Sequence, residues 1–320
     1  MKKRINQVKF CVVLILTIST FFIVSSCDKN EVDTQAELSE ENESNAEDDN
    51  EVQLAEENES NTENDNEVEF QDDIGNDVKV ELPTGNNDVL VWSEEFSLAG
   101  SPSVNNWAHD IGAGGWGNNE SQYYTNSTDN AYVQGGVLKI VAKKELYLGS
   151  EYTSARLSTK NKYSFTYGKV EVRAKLPKEL GSWPAIWTLG ANLEVVGWPA
   201  CGSINIMEHS GNNLGVIFSS IHNSSGYGNT PYIISKDLTE DITTEFHTYA
   251  INWTKDKIEF LVDDVILYIY APIVKNSENW PFDKDQVIVL NLAIGGTLGG
   301  IIDSEFTSST MEIDYIRVYQ

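Results

Sequence analysis

The chain has 320 residues and a formal net charge of −27, with 49 acidic against 22 basic residues. This balance argues against nucleic acid as a partner, because binding phosphates needs a clustered basic face. The four histidines and three cysteines show no spacing typical of a zinc site. Neutral, hydroxyl-rich or cationic partners remain open.

The N-terminus has the pattern of an export signal. A basic start, MKKR, precedes an apolar run over residues 10–24, which is short for a membrane span. The run ends in VSSC, and small residues directly before Cys27 resemble a bacterial lipobox. We therefore predict that residues 1–26 are a lipoprotein signal peptide and that Cys27 is lipidated. The alternative is an ordinary signal peptide with a cysteine nearby.

Residues 27–86 have the composition of an acidic linker. The segment EENESNAEDDNEV, residues 40–52, recurs at a period of 16 as EENESNTENDNEV, residues 56–68. Low hydrophobicity and like charge predict a disordered, extended tether. Acidic residues after a lipidated cysteine also resemble the surface-export signals of Bacteroidetes lipoproteins. We expect an outer-membrane lipoprotein exposed at the cell surface, and a plain spacer is the alternative for this segment.

From residue 87 to residue 320 the pattern indicates a globular all-β domain. Short runs rich in Val, Ile, Tyr and Thr alternate with Gly, Asn and Asp clusters, and residues 169–176 and 311–318 alternate with period two. No long amphipathic helix is evident. The pattern predicts a β-sandwich or jelly roll. The glycine-rich segment 112–117 lacks the lysine and the strand-to-helix context of a phosphate loop.

Eight tryptophans suggest a sugar-binding groove. Trp183 and Trp187 share one strand face, and Trp198 lies in a polar, glycine-rich loop. Aromatic rings can stack on the apolar faces of sugar rings, although tryptophans are also common core residues. For Trp198 the groove is the favoured interpretation.

Seven stretches between about residue 90 and residue 320 identify a family: VWSEEF, GGWGNNESQYYT, ARLSTKNKYSFTYGKVEVRAKLP, SWPAIWTLG, GWPACGSINIMEHSG, WPFDKDQVIVLNLAIGG and MEIDYIRVYQ. In these stretches the chain resembles glycoside hydrolase family 16, especially its laminarinase-like β-1,3-glucanases. The resemblance implies a concanavalin A-like jelly roll of two curved antiparallel sheets. It also implies a sugar-binding cleft on the concave face.

The resemblance breaks at the catalytic strand. The family pattern is Glu-x-Asp-x-x-Glu, in which the first Glu is the nucleophile, the Asp is a helper and the last Glu is the acid/base. This chain has Ser203, Asn205 and Glu208 at those positions. A β-bulge is needed to bring Glu208 onto the face of the other two. Retaining hydrolysis requires two carboxyls about 5–5.5 Å apart, and serine without an adjacent base is a weak nucleophile.

These observations favour a surface-anchored protein that binds laminarin-like β-1,3-glucan, as a polysaccharide or oligosaccharide, on a catalytically impaired hydrolase fold. The expected partners are the glucan, the outer membrane through the lipid anchor, and glycan-uptake transporters, with no nucleic acid. One alternative is an active or weakly active β-1,3-glucanase that uses Glu208. Another is a surface adhesin whose cleft is vestigial.

The remaining site residues carry over from the family. The expected substrate-binding residues are Asn118, Arg156, Trp183, Trp187, Trp198, Ser203, Asn205 and His222, although His222 can also be read as a structural histidine. No cofactor is required. Glu95, the Gly136 carbonyl and Asp314 match a calcium site of many relatives, and such oxygen ligands suit calcium.

Overall fold

The structure, a computed structural model, describes residues 89–228, 232–238 and 242–320. The predicted signal peptide, Cys27 and the acidic repeats lie outside the described residues. Within the described ranges, no helix is long and apolar enough to cross a membrane.

The described residues are built almost entirely of strands. In chain order these are β1 (Leu90–Glu94), β2 (Ala108–His109), β3 (Gln122–Tyr124), β4 (Ala131–Gln134), β5 (Val137–Tyr147), β6 (Ser150–Ser154), β7 (Arg156–Ser158), β8 (Gly168–Lys175), β9 (Ser182–Gly190), β10 (Ser203–His209), β11 (Val216–His222), β12 (Tyr232–Asp237), β13 (His247–Trp253), β14 (Ile258–Val262), β15 (Val265–Tyr270), β16 (Gln286–Ile294) and β17 (Ser308–Tyr319). One-turn helices α1 (Leu193–Val196) and α2 (Gly296–Gly299) and a 3₁₀ turn (Gly115–Gly117) interrupt them.

The strands form two sheets. The larger has ten strands in the order β15-β14-β13-β8-β17-β5-β6-β3, with β1 also paired to β17 and β4 to β5. The smaller has seven, in the order β12-β11-β10-β9-β16-β7-β2. Every pairing of two strands is antiparallel except that of β3 with β6. The predicted all-β sandwich of two antiparallel sheets is confirmed, with this one short parallel exception.

The core contains the facing sides of the two sheets. Period-two alternation in β8 points Val170, Val172 and Ala174 inward, and all three are fully buried. From the smaller sheet, Ile288 and Leu290 of β16 enter the same core cluster. Burying apolar surface contributes about 25 cal/mol per Å², so the alternation fixes which side of each sheet faces its partner. The other side of the seven-stranded sheet, called here the outer face, is left for polar and aromatic side chains.

Strand β10 contains the bulge that the sequence requires. Its register against both β9 and β11 shifts after Asn205. Ile206 and Met207, although consecutive, both belong to the buried core cluster. Because the bulge adds one residue, Glu208 comes back to the face of Ser203 and Asn205. The predicted bulge is therefore confirmed.

Gly202 sets the start of β10. Its φ is +75°, and a Cβ at this position would lie 2.7 Å from Pro281 and 2.8 Å from Phe282 side-chain atoms. Gly135 also has a positive φ, +66°, but a Cβ there would have no neighbouring atom within 4 Å. Both glycines have a positive φ, which disfavours a side chain, but only at Gly202 would an added Cβ also clash with neighbouring atoms.

We expect Gly202→Ala to destabilise the fold by about 1–2 kcal/mol more than Gly135→Ala. Both substitutions place a Cβ in the left-handed region, but only the first also overpacks the ring of Phe282. Urea unfolding of the two variants beside the unmodified protein measures the difference. Equal urea unfolding midpoints for the two variants would contradict the predicted clash between a Cβ at position 202 and Phe282.

Candidate functional site

Glu208 lies at the centre of the outer face and accepts hydrogen bonds from three neighbours. Its Oε1 accepts from the Trp183 indole N–H at 3.2 Å. Its Oε2 accepts from Asn205 Nδ2 at 2.9 Å and from the Ser220 hydroxyl at 3.3 Å. The side chains come from β9, β10 and β11, three adjacent strands of one sheet. Both carboxylate oxygens are thus oriented by donors.

Burial governs the acidity of Glu208. Desolvation raises its pKa, the hydrogen bonds from Asn205, Trp183 and Ser220 act in the opposite direction, and the charge of Glu120 raises it further. A raised pKa makes the ionised carboxylate a stronger base than an exposed one. The carboxyl is therefore suited to proton transfer.

Ser203 is the residue predicted at the nucleophile position. It is 2% exposed, and its Oγ accepts from the Trp198 indole N–H at 3.4 Å. Register pairs Ser203 with His222 on β11. The hydroxyl is neutral and contributes no anion to the outer face.

Asn205 connects Glu208 to His222. Its Nδ2 contacts His222 Nε2 at 3.4 Å as well as Glu208. Burial lowers the pKa of His222 to about 4, so the imidazole is neutral near pH 7. Donation from the Asn205 amide to Nε2 matches the tautomer whose proton lies on Nδ1. Asn205 Oδ1 and His222 Nδ1 are buried without a hydrogen-bond partner among the described residues.

Trp198 forms an exposed aromatic wall next to this centre. The indole is 46% exposed. Its ring lies 5.7 Å from the His222 ring and 5.5 Å from that of Tyr227, which it meets edge-on. An exposed tryptophan, held by neighbouring rings and its N–H, is the type of surface on which a sugar face stacks.

Trp187 is fixed by a chain of hydrogen bonds. Its indole N–H donates to Asn291 Oδ1 at 2.8 Å, and Asn291 Nδ2 donates to the Tyr124 hydroxyl at 3.1 Å. The Tyr124 hydroxyl in turn donates to Glu120 Oε2 at 3.0 Å. The chain thus links β9, β16 and β3, and it restricts the ring of Trp187 to one orientation.

Glu120 has a structural role. Asn118 Nδ2 donates to its Oε1 at 3.0 Å, and Gln122 Nε2 donates to its Oε2 at 2.6 Å, in addition to the bond from Tyr124. With both oxygens occupied, Glu120 holds the loop before β3 rather than offering a free carboxylate. Asn118 lies on the Trp183 side of the site, because a Cβ added at Gly296 would be 2.8 Å from the Asn118 carbonyl oxygen and 3.3 Å from the Trp183 ring.

Arg156 lies between two tryptophans. Its guanidinium is 4.7 Å from the Trp116 ring centroid and 4.8 Å from that of Trp187. Its Nε donates to Asp110 Oδ2 at 3.0 Å. Arg156, Trp116 and Asp110 border a cavity of about 310 Å³ whose apolar lining includes Leu189. The outer face therefore continues beyond Trp187 as a partly apolar trough.

The structure thus gathers most of the predicted residues. Ser203, Asn205, Glu208, Trp183, Trp198 and His222 form one contact network, and Trp187, Arg156 and Asn118 extend it along the outer face. Sequence reasoning missed Ser220, Asn291, Tyr124, Glu120 and Tyr227. Alternation from His222 in β11 was the available signal for Ser220, since residues two apart share a face.

Two of the three predicted calcium ligands are paired with arginines, and the third, Gly136, lies in the turn between β4 and β5. Glu95 makes a bidentate pair with Arg317 at 2.9 Å, and Asp314 pairs with Arg173. Arg317 lowers the pKa of Glu95 through these bonds. In this arrangement both carboxylates already accept from guanidinium groups, with which a calcium ion would compete. The described residues contain no group of three or more His, Cys, Asp or Glu side chains able to hold a metal, and calcium stays a prediction.

Comparison with known proteins gives consistent matches. Residues 118–317 match the family model described as glycosyl hydrolases family 16. Residues 1–204 match a second model, described as beta-glucan synthesis-associated protein SKN1/KRE6/Sbg1. A beta-glucanase of Rhodothermus marinus is 42% identical over 247 residues, which are 72% of this chain and 85% of that protein.

Two solved structures are similar over the same region. A laminarinase from Flavobacterium sp. UMI-01 has a TM-score of 0.68 and 42% identity, over 72% of this chain and 100% of that chain. A glutamate-to-serine mutant of SCLam, a non-specific endo-β-1,3(4)-glucanase, has a TM-score of 0.70 and 38% identity, over 73% of this chain and 95% of that chain. That structure has 1,3-β-D-cellobiosyl-glucose at its active site.

We expect Glu208→Gln to change how stability depends on pH. The pKa of Glu208 is raised in the folded state. As the pH rises above the ordinary carboxyl pKa, Glu208 therefore ionises in the unfolded chain before it ionises in the folded protein. Folding stability of the unmodified protein should therefore fall through that interval relative to the variant, by about 1.4 kcal/mol for each unit of pKa difference.

Urea unfolding at a series of pH values from 4 to 8, an interval that brackets the ordinary carboxyl pKa, measures this difference. Glu305→Gln, which removes an exposed acid that makes none of the hydrogen bonds described for Glu208, is the matched control and should follow the unmodified protein. Parallel curves for Glu208→Gln and the unmodified protein would contradict the desolvation of Glu208.

Proposed function

Because this chain belongs to glycosyl hydrolases family 16, we propose that its outer face binds β-1,3-glucan and that it retains the glucan without hydrolysing it efficiently. One observation carries this proposal. The three functional positions of β10 lie on one face, as catalysis in the family requires, but only Glu208 among them is an acid.

The chemistry of Ser203 and Asn205 supports impaired hydrolysis. A retaining mechanism needs a carboxylate that attacks the sugar and a second carboxyl that protonates the leaving oxygen. The neighbours described for the Ser203 hydroxyl include no base, only the indole N–H of Trp198, so the hydroxyl is a weak nucleophile. Each factor of ten in rate corresponds to about 1.4 kcal/mol of barrier, and loss of the nucleophile removes several such factors.

Several features support glucan binding. Trp198 offers an exposed indole, and the ring of His222 packs against it with a centroid distance of 5.7 Å. A glutamate-to-serine mutant of a relative holds a glucan oligosaccharide at its active site. The descriptions of both matching family models refer to glycoside or β-glucan chemistry.

An active β-1,3-glucanase is the second candidate. The names of the similar proteins, a beta-glucanase and a laminarinase, favour this candidate over a protein that only binds. In this chain such activity would need a water molecule that Glu208 deprotonates and that attacks the sugar directly. Glu120 is poorly suited as the second carboxyl, because three donors occupy its oxygens.

We expect the protein to be retarded in gels that contain laminarin and to release almost no reducing ends from it. The double variant Ser203→Glu with Asn205→Asp should gain measurable hydrolysis, because it restores three acids beside one another. Trp198→Ala should weaken the binding free energy for laminarin by about 2 kcal/mol and so reduce the retardation. Tyr147→Ala, which removes a similarly exposed aromatic from the ten-stranded sheet (43% against 46% exposed), should leave it unchanged.

Each outcome separates the candidates. Rapid hydrolysis by the unmodified protein, abolished in Glu208→Gln, would establish the glucanase and overturn the binding-only function. Retardation equal for Trp198→Ala and the unmodified protein would remove Trp198 from the site. Before its activity is interpreted, the double variant must be shown to be folded by a cooperative unfolding transition, since it adds two carboxylates beside the buried Glu208.

We further propose that Cys27 anchors the protein in the outer membrane at the cell surface, where the glucan would be held for glycan-uptake transporters. The VSSC sequence and the acidic repeats support this location. A lipid chain with an extended tether would let the sugar-binding domain reach polysaccharide outside the cell.

We expect the protein to fractionate with outer membranes and to be released from intact cells by added protease. Cys27→Ala should move it to the soluble fraction, because the lipid attachment site is lost. Ser26→Ala, which keeps a small residue before the cysteine, is the matched control and should remain membrane-bound. Membrane retention of Cys27→Ala would contradict the anchor.

A further inference from the structure

A second apolar cluster lies on the outer face, apart from the main core. Leu189 of β9 packs with Val287 and Val289 of β16, and Leu193 of α1 packs against them. These four residues, together with Ile111, line the cavity of about 310 Å³ at the end of the trough. The cavity is therefore largely aliphatic, although it opens on a face that otherwise carries polar and aromatic side chains.

This cavity is separate from the centre at Glu208 but lies along the same face. Arg156 of β7 lines it, and β7 is three strands away from β10, about 14 Å at the usual strand spacing. Arg156 also packs on Trp187, which pairs with Asn205 across β9 and β10. A glycan that lies across these strands would bring its substituents to the cavity.

The charged side chains of the lining are paired. Arg156 Nε contacts Asp110 Oδ2 at 3.0 Å, and Lys160 Nζ contacts Glu194 Oε1 at 2.6 Å. Burial lowers the pKa of His109, so this lining imidazole is neutral near pH 7. An ionised group that entered the cavity would lose hydration against aliphatic side chains without meeting an unpaired opposite charge. The lining therefore favours a neutral occupant.

The aliphatic lining also favours an apolar group over an unsubstituted sugar ring. Ring hydroxyls turned toward Leu189 and Val287 would lose hydrogen bonds to water and find no partner there. An acyl ester carries an alkyl chain and a carbonyl oxygen that needs a donor. Arg156 is suited to donate, because the hydrogen bond described for its guanidinium uses Nε and leaves the two Nη groups.

We propose that this cavity binds a short, neutral acyl group that the glucan carries as an ester. Apolar cavities of about 150 Å³ are large enough for benzene, so a cavity of about 310 Å³ has room for a chain of several carbons. Each buried methylene increases affinity about fourfold. This inference rests on the proposed function, because the glucan must lie on the outer face to bring the acyl group to the cavity.

The test compares the full chain in gels that contain laminarin or laminarin esterified to the same degree with acetyl, propionyl or butyryl groups. Retardation at a series of polysaccharide concentrations gives each dissociation constant. We expect affinity to rise from acetyl to butyryl, by up to about fourfold for each added methylene. A ligand held only by its carbonyl group would show no such increase.

Two variants test whether the cavity is the acyl site. Leu193→Ser and Ile111→Ser each replace an aliphatic lining residue by a polar one, and each should flatten the rise with chain length. Ile111 is 52% exposed, so its replacement should leave the fold intact. Val195→Ser is the matched control, because Val195 lies on the same helix as Leu193 but is 85% exposed and outside the lining. It should keep the full rise.

The outcomes distinguish this inference from glucan binding. Equal retardation by all four polysaccharides would overturn the acyl site and leave glucan binding standing. A rise with chain length that persisted in both Leu193→Ser and Ile111→Ser would overturn the assignment to this cavity. Tighter binding of sulfated laminarin than of butyrylated laminarin would overturn the neutral occupant. No retardation by any of the polysaccharides would overturn both proposals.

Discussion

The arrangement of the site depends on one irregularity in the seven-stranded sheet, the β-bulge in β10. Ile206 and Met207 both enter the core, which shifts the alternation by one residue. In a regular strand Glu208 would face the core, where an ionised carboxylate without polar partners costs several kcal/mol. The bulge returns it to the outer face with Ser203 and Asn205. Core packing and site geometry thus follow from the same inserted residue.

Around that bulge the site consists of one buried acid and several neutral donors. Trp183, Asn205 and Ser220 all donate to Glu208, which offsets part of the cost of burying its charge. A second carboxylate in the position of Asn205 would instead repel it. The site therefore has a polar surface suited to sugar hydroxyls and buries less charge than three acids would. The strand positions 203, 205 and 208 do not supply the acid pair that retaining hydrolysis uses.

A second network gives the outer face its rigidity. Glu120, held by three donors, orders the residues before β3 and reaches Trp187 through Tyr124 and Asn291. Arg156 then packs on the other side of Trp187. Rings that are fixed before the ligand arrives lose little conformational entropy on binding. This explains why residues far from Glu208 belong to the same functional surface.

The sequence by itself determined the fold class, because period-two alternation is a local property. Its resemblance to the family implied the functional strand 203–208 and the need for a bulge there. It did not indicate that Ser220 and Asn205 share Glu208, nor that Tyr124 and Asn291 meet. Such contacts depend on the register between strands distant in the chain, and alternation defines a face but not a register. Tertiary structure alone decided those partners.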